Sequence, residues 1–289
     1  MNPLDAYPAA LAQPRPQTVQ AELGFARDAN GGTYLHRQRV GYPFHVGRSL
    51  KMAGDPAGMP TVYLQSCSGG IFEGDDLRLR IAAGEGAAAH VASAAATVVH
   101  TMESHPAAQH VELHAGPGSF LEYLPDPVIL FPRAKLKNGV RLTVHPGATV
   151  ITGDAVLLHD PQGGNDWFDW LQSETRIEDE AGKLLVCDRF RIEGARMARG
   201  TAGITGNWKA QGSLFVITAA KPAAELAAAM RAAPAPAGLY AGVSVLPNQS
   251  GAWTRILATD AAALKAALFL AWAAARQLLL GAAPSPRRK

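Results

Sequence analysis

The stretch Cys67-Ser68-Gly69-Gly70-Ile71-Phe72-Glu73-Gly74-Asp75-Asp76 sets a thiol, a hydroxyl and three carboxylates within one glycine-rich turn. Glycine admits backbone angles that a Cβ resists, so Glu73, Asp75 and Asp76 can be held close together at the entrance of the strand that follows. Carboxylates on a wet polar surface bind a divalent cation weakly and release it, whereas a closed set of strong donors would trap it. The same composition also describes an acidic hairpin turn facing water, because Gly and Asp are common turn residues. A second group follows: His110, Glu112 and His114 alternate with Val111 and Leu113, so a strand would present three donor groups to one side. Imidazole and carboxylate suit a divalent transition metal, and His100 and His105 are close by in sequence. A solvent-facing strand face gives that pattern without metal. The remaining histidines, His36, His45, His90, His145 and His159, show no spacing signal.

Other chemistries find less support. Ser66 and Cys67 beside the Gly pair suggest a nucleophile loop, but no Gly-x-Ser-x-Gly turn or base is tied to it. Neither a Gly-x-x-x-x-Gly-Lys-Ser/Thr loop nor a Gly-x-Gly-x-x-Gly unit occurs, which argues against nucleotide binding. Two cysteines, Cys67 and Cys187, are too few for a disulfide framework or a thiolate zinc site.

The elements that must position these groups are mostly strands. Leu77, Leu79 and Ile81 point one way and Asp76, Arg78 and Arg80 the other, the period of a half-buried strand. Short runs such as 62–65, 109–114, 139–144, 184–187 and 213–217, punctuated by Gly, Pro and Asp, predict an antiparallel or solenoidal β structure from Val19 to Thr218. Two helices are expected near the end. Pro222 suits the first turn of one over 223–232, and Thr259 or Asp260 caps a second that Gly281 terminates. Residues 1–17, rich in Pro and Ala, read as a disordered arm. No self-similarity of 20 to 50 residues is visible, and no linker divides 18–289.

A chain of 289 residues can bury a full core, and 48% hydrophobic with 18% charged residues leaves a rather apolar surface that invites protein partners. The net charge of +3 has no cluster beyond Arg287-Arg288-Lys289, so no nucleic-acid footprint is expected. Residues 261–280 are long and apolar enough to raise a membrane span. Lys265, Arg276 and Gln277 interrupt them, and a buried helix is the expectation. No secretory leader pattern is present, and a cytoplasmic protein with reduced thiols is expected.

Three blocks carry a resemblance: Gly69-Gly70-Ile71 with Gly74-Asp75 and Leu77; Ala89 to His100; and Leu121-Glu122-Tyr123-Leu124-Pro125-Asp126-Pro127-Val128-Ile129-Leu130-Phe131. They resemble the signature blocks of the UreD family, called UreH in some organisms. Arg276 with Leu279-Leu280-Gly281 and Pro286-Arg287 is similar to the family's C-terminal ending, so the matches run from about Gly41 to the end. The resemblance implies a mainly β body of β-helical, solenoid type with two C-terminal α-helices, forming one domain over 18–289. It implies no enzyme but a urease accessory scaffold. Its partners would be a UreF-type protein, a UreG-type GTPase and the urease apoprotein, with no tightly bound cofactor and only a transient nickel ion. On that reading Glu73, Asp75 and Asp76 line part of a weak metal path, Ser93 and Thr97 match hydroxyl positions, and Gly69, Gly70, Gly74 and Pro125 are motif positions. Trp253, Phe269 and Trp272 are candidate contact anchors.

The chain also departs from the pattern. Val98 and His100 stand where the family commonly has Lys and Tyr, Ala92-Ser93 replaces a Thr pair, His159-Asp160 replaces Gly-Arg, and the aromatic ending is missing. Two other readings stay open at this point: an enzyme using the Cys67–Asp76 loop, and a β-solenoid binding module unrelated to urease.

Overall fold

The computed structural model describes residues 18–164, 166–203, 205–234 and 236–286, so the arm expected over 1–17 lies outside the described residues. Numbered in chain order, one sheet is built from β1 (Ala21–Arg27), β2 (Thr33–Val40), β5 (Asp76–Ala83), β8 (Ala107–Ala115), β11 (Lys135–Val144), β13 (Trp170–Asp179) and β14 (Leu184–Glu193). Its order is β14-β13-β11-β8-β5-β1-β2, and the five strands from β13 to β1 are parallel. The second sheet holds β3 (Phe44–Val46), β4 (Thr61–Ser66), β6 (Ala88–Ser93), β7 (Thr97–Val99), β9 (Phe120–Tyr123), β10 (Val128–Leu130), β12 (Thr149–Leu158), β15 (Ala210–Ile217), β16 (Leu239–Val245) and β17 (Gly251–Ala258). It runs β16-β17-β15-β12-β9-β6-β4-β3, with β7 and β10 paired to one another and β10 also to β12.

The chain passes from one sheet to the other and back, β5 to β6, β8 to β9 and β11 to β12, which is solenoid winding. At each passage it makes the same corner, with Gly86, Gly118 and Gly147 at φ of +61°, +61° and +72°, a left-handed conformation that glycine enters without strain. The corners stack: Gly86 N–H donates to the Pro117 carbonyl (2.9 Å), and Gly118 N–H to that of Pro146 (3.0 Å).

Strand alternation sorts the side chains. In β5, Leu77, Leu79 and Ile81 are buried while Asp76 and Arg80 are exposed, as their spacing predicts. One apolar cluster between the sheets gathers Leu79, Val111, Val140, Leu142 and Phe215; another holds Leu77, Leu130, Leu136, Val156 and Leu171.

Helices cover the outer face of the second sheet. The two expected near the end are α2 (Ala223–Arg231) and α3 (Ala261–Leu280), while a short α1 (Gly194–Ala198) carries no helical periodicity and was not foreseen. Pro222 sits at the cap rather than inside the first turn. Asp260, not Thr259, caps α3 by accepting from Ala263 N–H (2.8 Å), and Gly281 closes it at φ +71°. By length and apolarity α3 passes as a membrane span. Its buried side instead packs on the sheet through Leu264, Ala267, Ala271, Trp272 and Ala275, as a core helix does. Burying side chains the size of Leu264 contributes about 1.5–3 kcal/mol each.

Candidate functional site

A belt of polar side chains crosses the interior between the apolar clusters. On the first sheet Gln109, Asn138 and Ser173 lie in register on β8, β11 and β13. Gln109 Nε2 donates to Asn138 Oδ1 (3.4 Å), and Asn138 Nδ2 to Ser173 Oγ (3.5 Å). Asp154, Ser213 and Arg255 lie in register on β12, β15 and β17 of the second sheet. Arg255 is hydrogen-bonded to Asp188 of β14, and its guanidinium lies over the rings of Phe190 and Trp253, 5.0 and 5.1 Å from their centroids. The Asp154 Oδ1 atom is buried, and burial pushes this carboxyl above the usual carboxylate range, with Ser213 and Arg255 offsetting only part of that.

Beside this belt lies a cavity of about 400 Å³ whose wall comes from both sheets. Gln65, Gln109, Asn138, Asp126 and Asp154 supply its amides and carboxyls, and Ser66, Cys67, Gly69, Gly70, Ser93, Thr97 and Pro125 also line it. Five of the motif positions read from the sequence therefore converge on one space. Gly70, at φ +149°, is held where a Cβ would come within 2.5 Å of the Val98 carbonyl. Only glycine allows the backbone that close. Ser93 Oγ accepts from Asp126 N–H (2.6 Å), which ties two lining segments together. Gly74 does not line the cavity; at φ +78° it shapes the acidic turn.

In one part of this wall loops replace strands. β6 stops at Ser93 and β7 starts at Thr97; β9 stops at Tyr123 and β10 starts at Val128, while β12 runs on past both gaps. On the far side, under α3, is a mostly apolar cavity of about 470 Å³ that includes Leu124, Leu268, Phe269 and Trp272. Both cavities share Pro125, Asp126, Gly153, Asp154 and Ala155. Asp126 faces Lys265 of α3 across this gap, 3.9 Å from its Nζ.

The acidic turn is placed otherwise than expected, because Glu73, Asp75 and Asp76 neither meet nor line the cavity. Glu73 turns outward and accepts from three backbone amides, Glu103, Ser104 and His105, at 2.8, 2.9 and 2.8 Å, which hold its carboxyl down at about 2. Asp75 Oδ2 accepts from Phe72 N–H (2.8 Å) and closes its own turn. Asp76 follows the outer face that alternation assigns it and pairs with Arg78 (3.0 Å). The acidic turn is therefore not a part of the lining.

His110, Glu112 and His114 share the outer face of β8 as their spacing predicts, yet each is engaged separately. Glu112 pairs with Arg80 (2.9 Å), His110 Nε2 lies 3.9 Å from Asp76, and the His114 ring stands 4.8 Å from that of His145. Desolvation, and then the charges of Arg78 and His145 respectively, lower the His110 and His114 pKa values. Among the described residues no group of three His, Cys, Asp or Glu is disposed to hold a metal ion. In the Cys67 loop, Ser66 Oγ is 3.0 Å from Ser68 Oγ, which donates to the Gly70 carbonyl.

Of the candidate anchors, Trp272 is buried with its Nε1 donating to Glu122 (2.7 Å), Trp253 stacks on Phe215, and Phe269 is half-buried against the second cavity. The sequence reading missed Gln109, Asn138 and Asp154 as lining groups. A single carboxylate inside the apolar run Val150–Leu158 is the signal that could have found Asp154.

Comparison with known proteins agrees with the resemblance. A family model described as UreD urease accessory protein matches residues 17–289. A protein named urease accessory protein UreD 1 from Pseudomonas syringae pv. syringae is 44% identical over 270 residues, covering 93% of this chain and 95% of the relative. One of the same name from Methylorubrum populi is 39% identical over 288 residues, 100% of this chain and 97% of the relative. A urease accessory protein UreD from Natronomonas pharaonis is 34% identical over 271 residues, 92% and 90% of the two chains.

Proposed function

The chain belongs to the UreD family of urease accessory proteins, and from that premise we propose that it acts in urease maturation as a scaffold whose interior cavity passes nickel toward the apoprotein. Its role is that of an accessory protein and not an enzyme, which removes the reading of the Cys67–Asp76 loop as a catalytic site and that of a module unrelated to urease. A UreF-type helical protein and apo-urease are the proposed contacts, and a UreG-type GTPase the proposed source of the ion, all in the cytoplasm.

The observation that carries this reading is the polar belt inside an otherwise apolar solenoid. A hydrated divalent ion moving between the sheets meets amide oxygens at Gln109 and Asn138 and carboxyls at Asp126 and Asp154. Oxygen donors spread along a wall bind such an ion loosely enough to hand it on. The proposed path replaces the acidic turn with these lining groups, because Glu73, Asp75 and Asp76 are turned away and taken up by other partners.

Co-expression with a UreF-type partner and apo-urease tests the scaffold. Recovery of a complex containing this chain is expected, and failure to recover any with all components soluble would overturn the reading. Nickel content of urease matured with lining variants then tests the passage.

A further inference from the structure

His114 and His145 are far apart in sequence, yet their rings meet on the outer face of the first sheet, with centroids 4.8 Å apart and planes inclined at 66°. The ladder sets the pair. His114 of β8 lies opposite Thr143 of β11, and His145 N–H extends the same pairing past the end of β11 by donating to the Ala115 carbonyl (2.9 Å). Residues two apart along an extended chain share a face, so His145 stands diagonally from His114.

Neither ring is taken up elsewhere. Among the described residues no hydrogen bond or ion pair engages a ring nitrogen of His114 or His145, and the carboxylates of adjoining rows have partners of their own: Glu112 is held by Arg80, and Glu178, opposite Thr143 on β13, by Arg141 and Arg176. The flank toward β5 is small. Ala82 lies opposite His114, and Gly116 follows β8 where His145 follows β11, which leaves room beside the rings for an ion and its water.

We propose that His114 and His145 form a surface chelate for a late first-row divalent cation, nickel or copper(II), each giving one ring nitrogen while water completes the shell. The ring spacing carries this. An imidazole nitrogen binds such an ion at about 2.0–2.1 Å, which sets the ion about 3.2 Å from the ring centroid. At ligand angles from about 90° to about 110°, two centroids then stand about 4.5–5.2 Å apart. The observed 4.8 Å falls within that window. Histidine turns about a broad χ2 torsion, so both nitrogens reach the ion with the strands in place. Imidazole selects nickel and copper over magnesium and calcium, which take oxygen donors. Neither histidine lines the interior cavity, so the site stands apart from the proposed passage.

Calorimetric titration of the full chain with nickel chloride tests this. One site tighter than the rest is expected, and His114→Gln and His145→Gln should each weaken it at least about tenfold, with the double variant no tighter than either. His114 is exposed and His145 half-buried, so both variants keep the fold. His110→Gln, on the same strand face but beside Asp76, should leave the site unchanged. Asp154→Asn, which alters the interior cavity, should leave it unchanged too, so this site and the passage fail separately. Copper(II) gives a second readout, since the electron paramagnetic resonance of its adduct should carry couplings to two nitrogens, reduced in either single variant. A chain that binds no nickel, binding indifferent to His145→Gln, equal weakening by His110→Gln, or a copper signal with oxygen donors only overturns the proposal.

Discussion

Arg276 of α3 and Glu122 of β9 form an ion pair, Nε to Oε1 at 3.0 Å, with both side chains wholly buried. Neither charge is left to a single partner. Glu122 also accepts from Trp272 Nε1 (2.7 Å) and pairs with His90 Nδ1 (2.7 Å), while Arg276 Nη1 donates to Asp55 Oδ1 (2.8 Å), which leaves the guanidinium bridging two carboxylates. Helix α3 is thus fastened at once to β6, β9 and the loop before β4, beside the cavity that His90 and Trp272 line.

Removing one member of a buried ionic group strands the others without compensation. Arg276→Met is therefore expected to cost about 3–5 kcal/mol in urea unfolding. Arg276→Lys should recover only part of that, because a point ammonium cannot span Glu122 and Asp55 as a planar fork does. A loss under about 1 kcal/mol for Arg276→Met would mean that α3 is held by apolar packing alone.

The Gly70 backbone offers a contrast with its neighbour. An alanine Cβ at 70 would meet the Val98 carbonyl at 2.5 Å, whereas at Gly69 nothing lies within 4 Å and only the φ of +81° resists. Gly69→Ala should cost about 1 kcal/mol through its backbone angle. Gly70→Ala should cost more, about 2–3 kcal/mol, because the Ile71 N–H to Val98 carbonyl bond (2.7 Å) must also shift. Thermal unfolding of the two variants side by side checks the ranking, and equal losses would remove the close approach as the reason for glycine at 70.

Those positions show how far the sequence could be read. Alternation at Leu77, Leu79 and Ile81 and the caps at Asp260 and Gly281 are local patterns, and the structure keeps them. The stacking of coils is not local: Leu79 faces Val111, Val111 faces Val140 and Val140 faces Thr175, at unequal spacings, so solenoid winding leaves no repeat to detect. The lining suffers similarly. Glycine-rich turns and hydroxyl positions stood out as motifs, whereas Gln109 and Asn138 look like any strand residues until two sheets enclose them. Glu73, Asp75 and Asp76 are neighbours in sequence, but which backbone amide or arginine each carboxylate meets is set by the fold and not by that proximity.

Glu73 gives a pH-dependent prediction. Its folded pKa of about 2 lies below the ordinary value of 4.5, so its stabilising effect is fully present above about pH 4.5 and fades as pH falls toward 2. Glu73→Gln should unfold at lower denaturant than the parent at pH 6, and the gap should close as the two are compared at progressively lower pH. A gap that stays constant from pH 6 to pH 2 would show that the carboxylate's charge is not what the three amides of residues 103–105 recognise.

Asp154 behaves with the opposite sign and separates folding from passage. Burial raises its pKa, so the folded chain holds this proton more tightly than the unfolded one, and stability falls as pH rises through the window above the ordinary carboxylate value. Asp154→Asn, which has no charge to bury, should therefore be at least as stable as the parent at pH 7 and should lose the corresponding part of the pH dependence. If the cavity conducts nickel, the same variant replaces a carboxyl oxygen of its wall with an amide nitrogen, which is no ligand for the ion, and should lower the nickel content of urease matured in its presence, several-fold, while recovery of the complex with a UreF-type partner is unchanged. A stable, complex-forming Asp154→Asn that delivers nickel as the parent does would take Asp154 out of the path. A variant that is destabilised instead would show that the buried carboxyl is needed in its charged form beside Arg255 and Ser213.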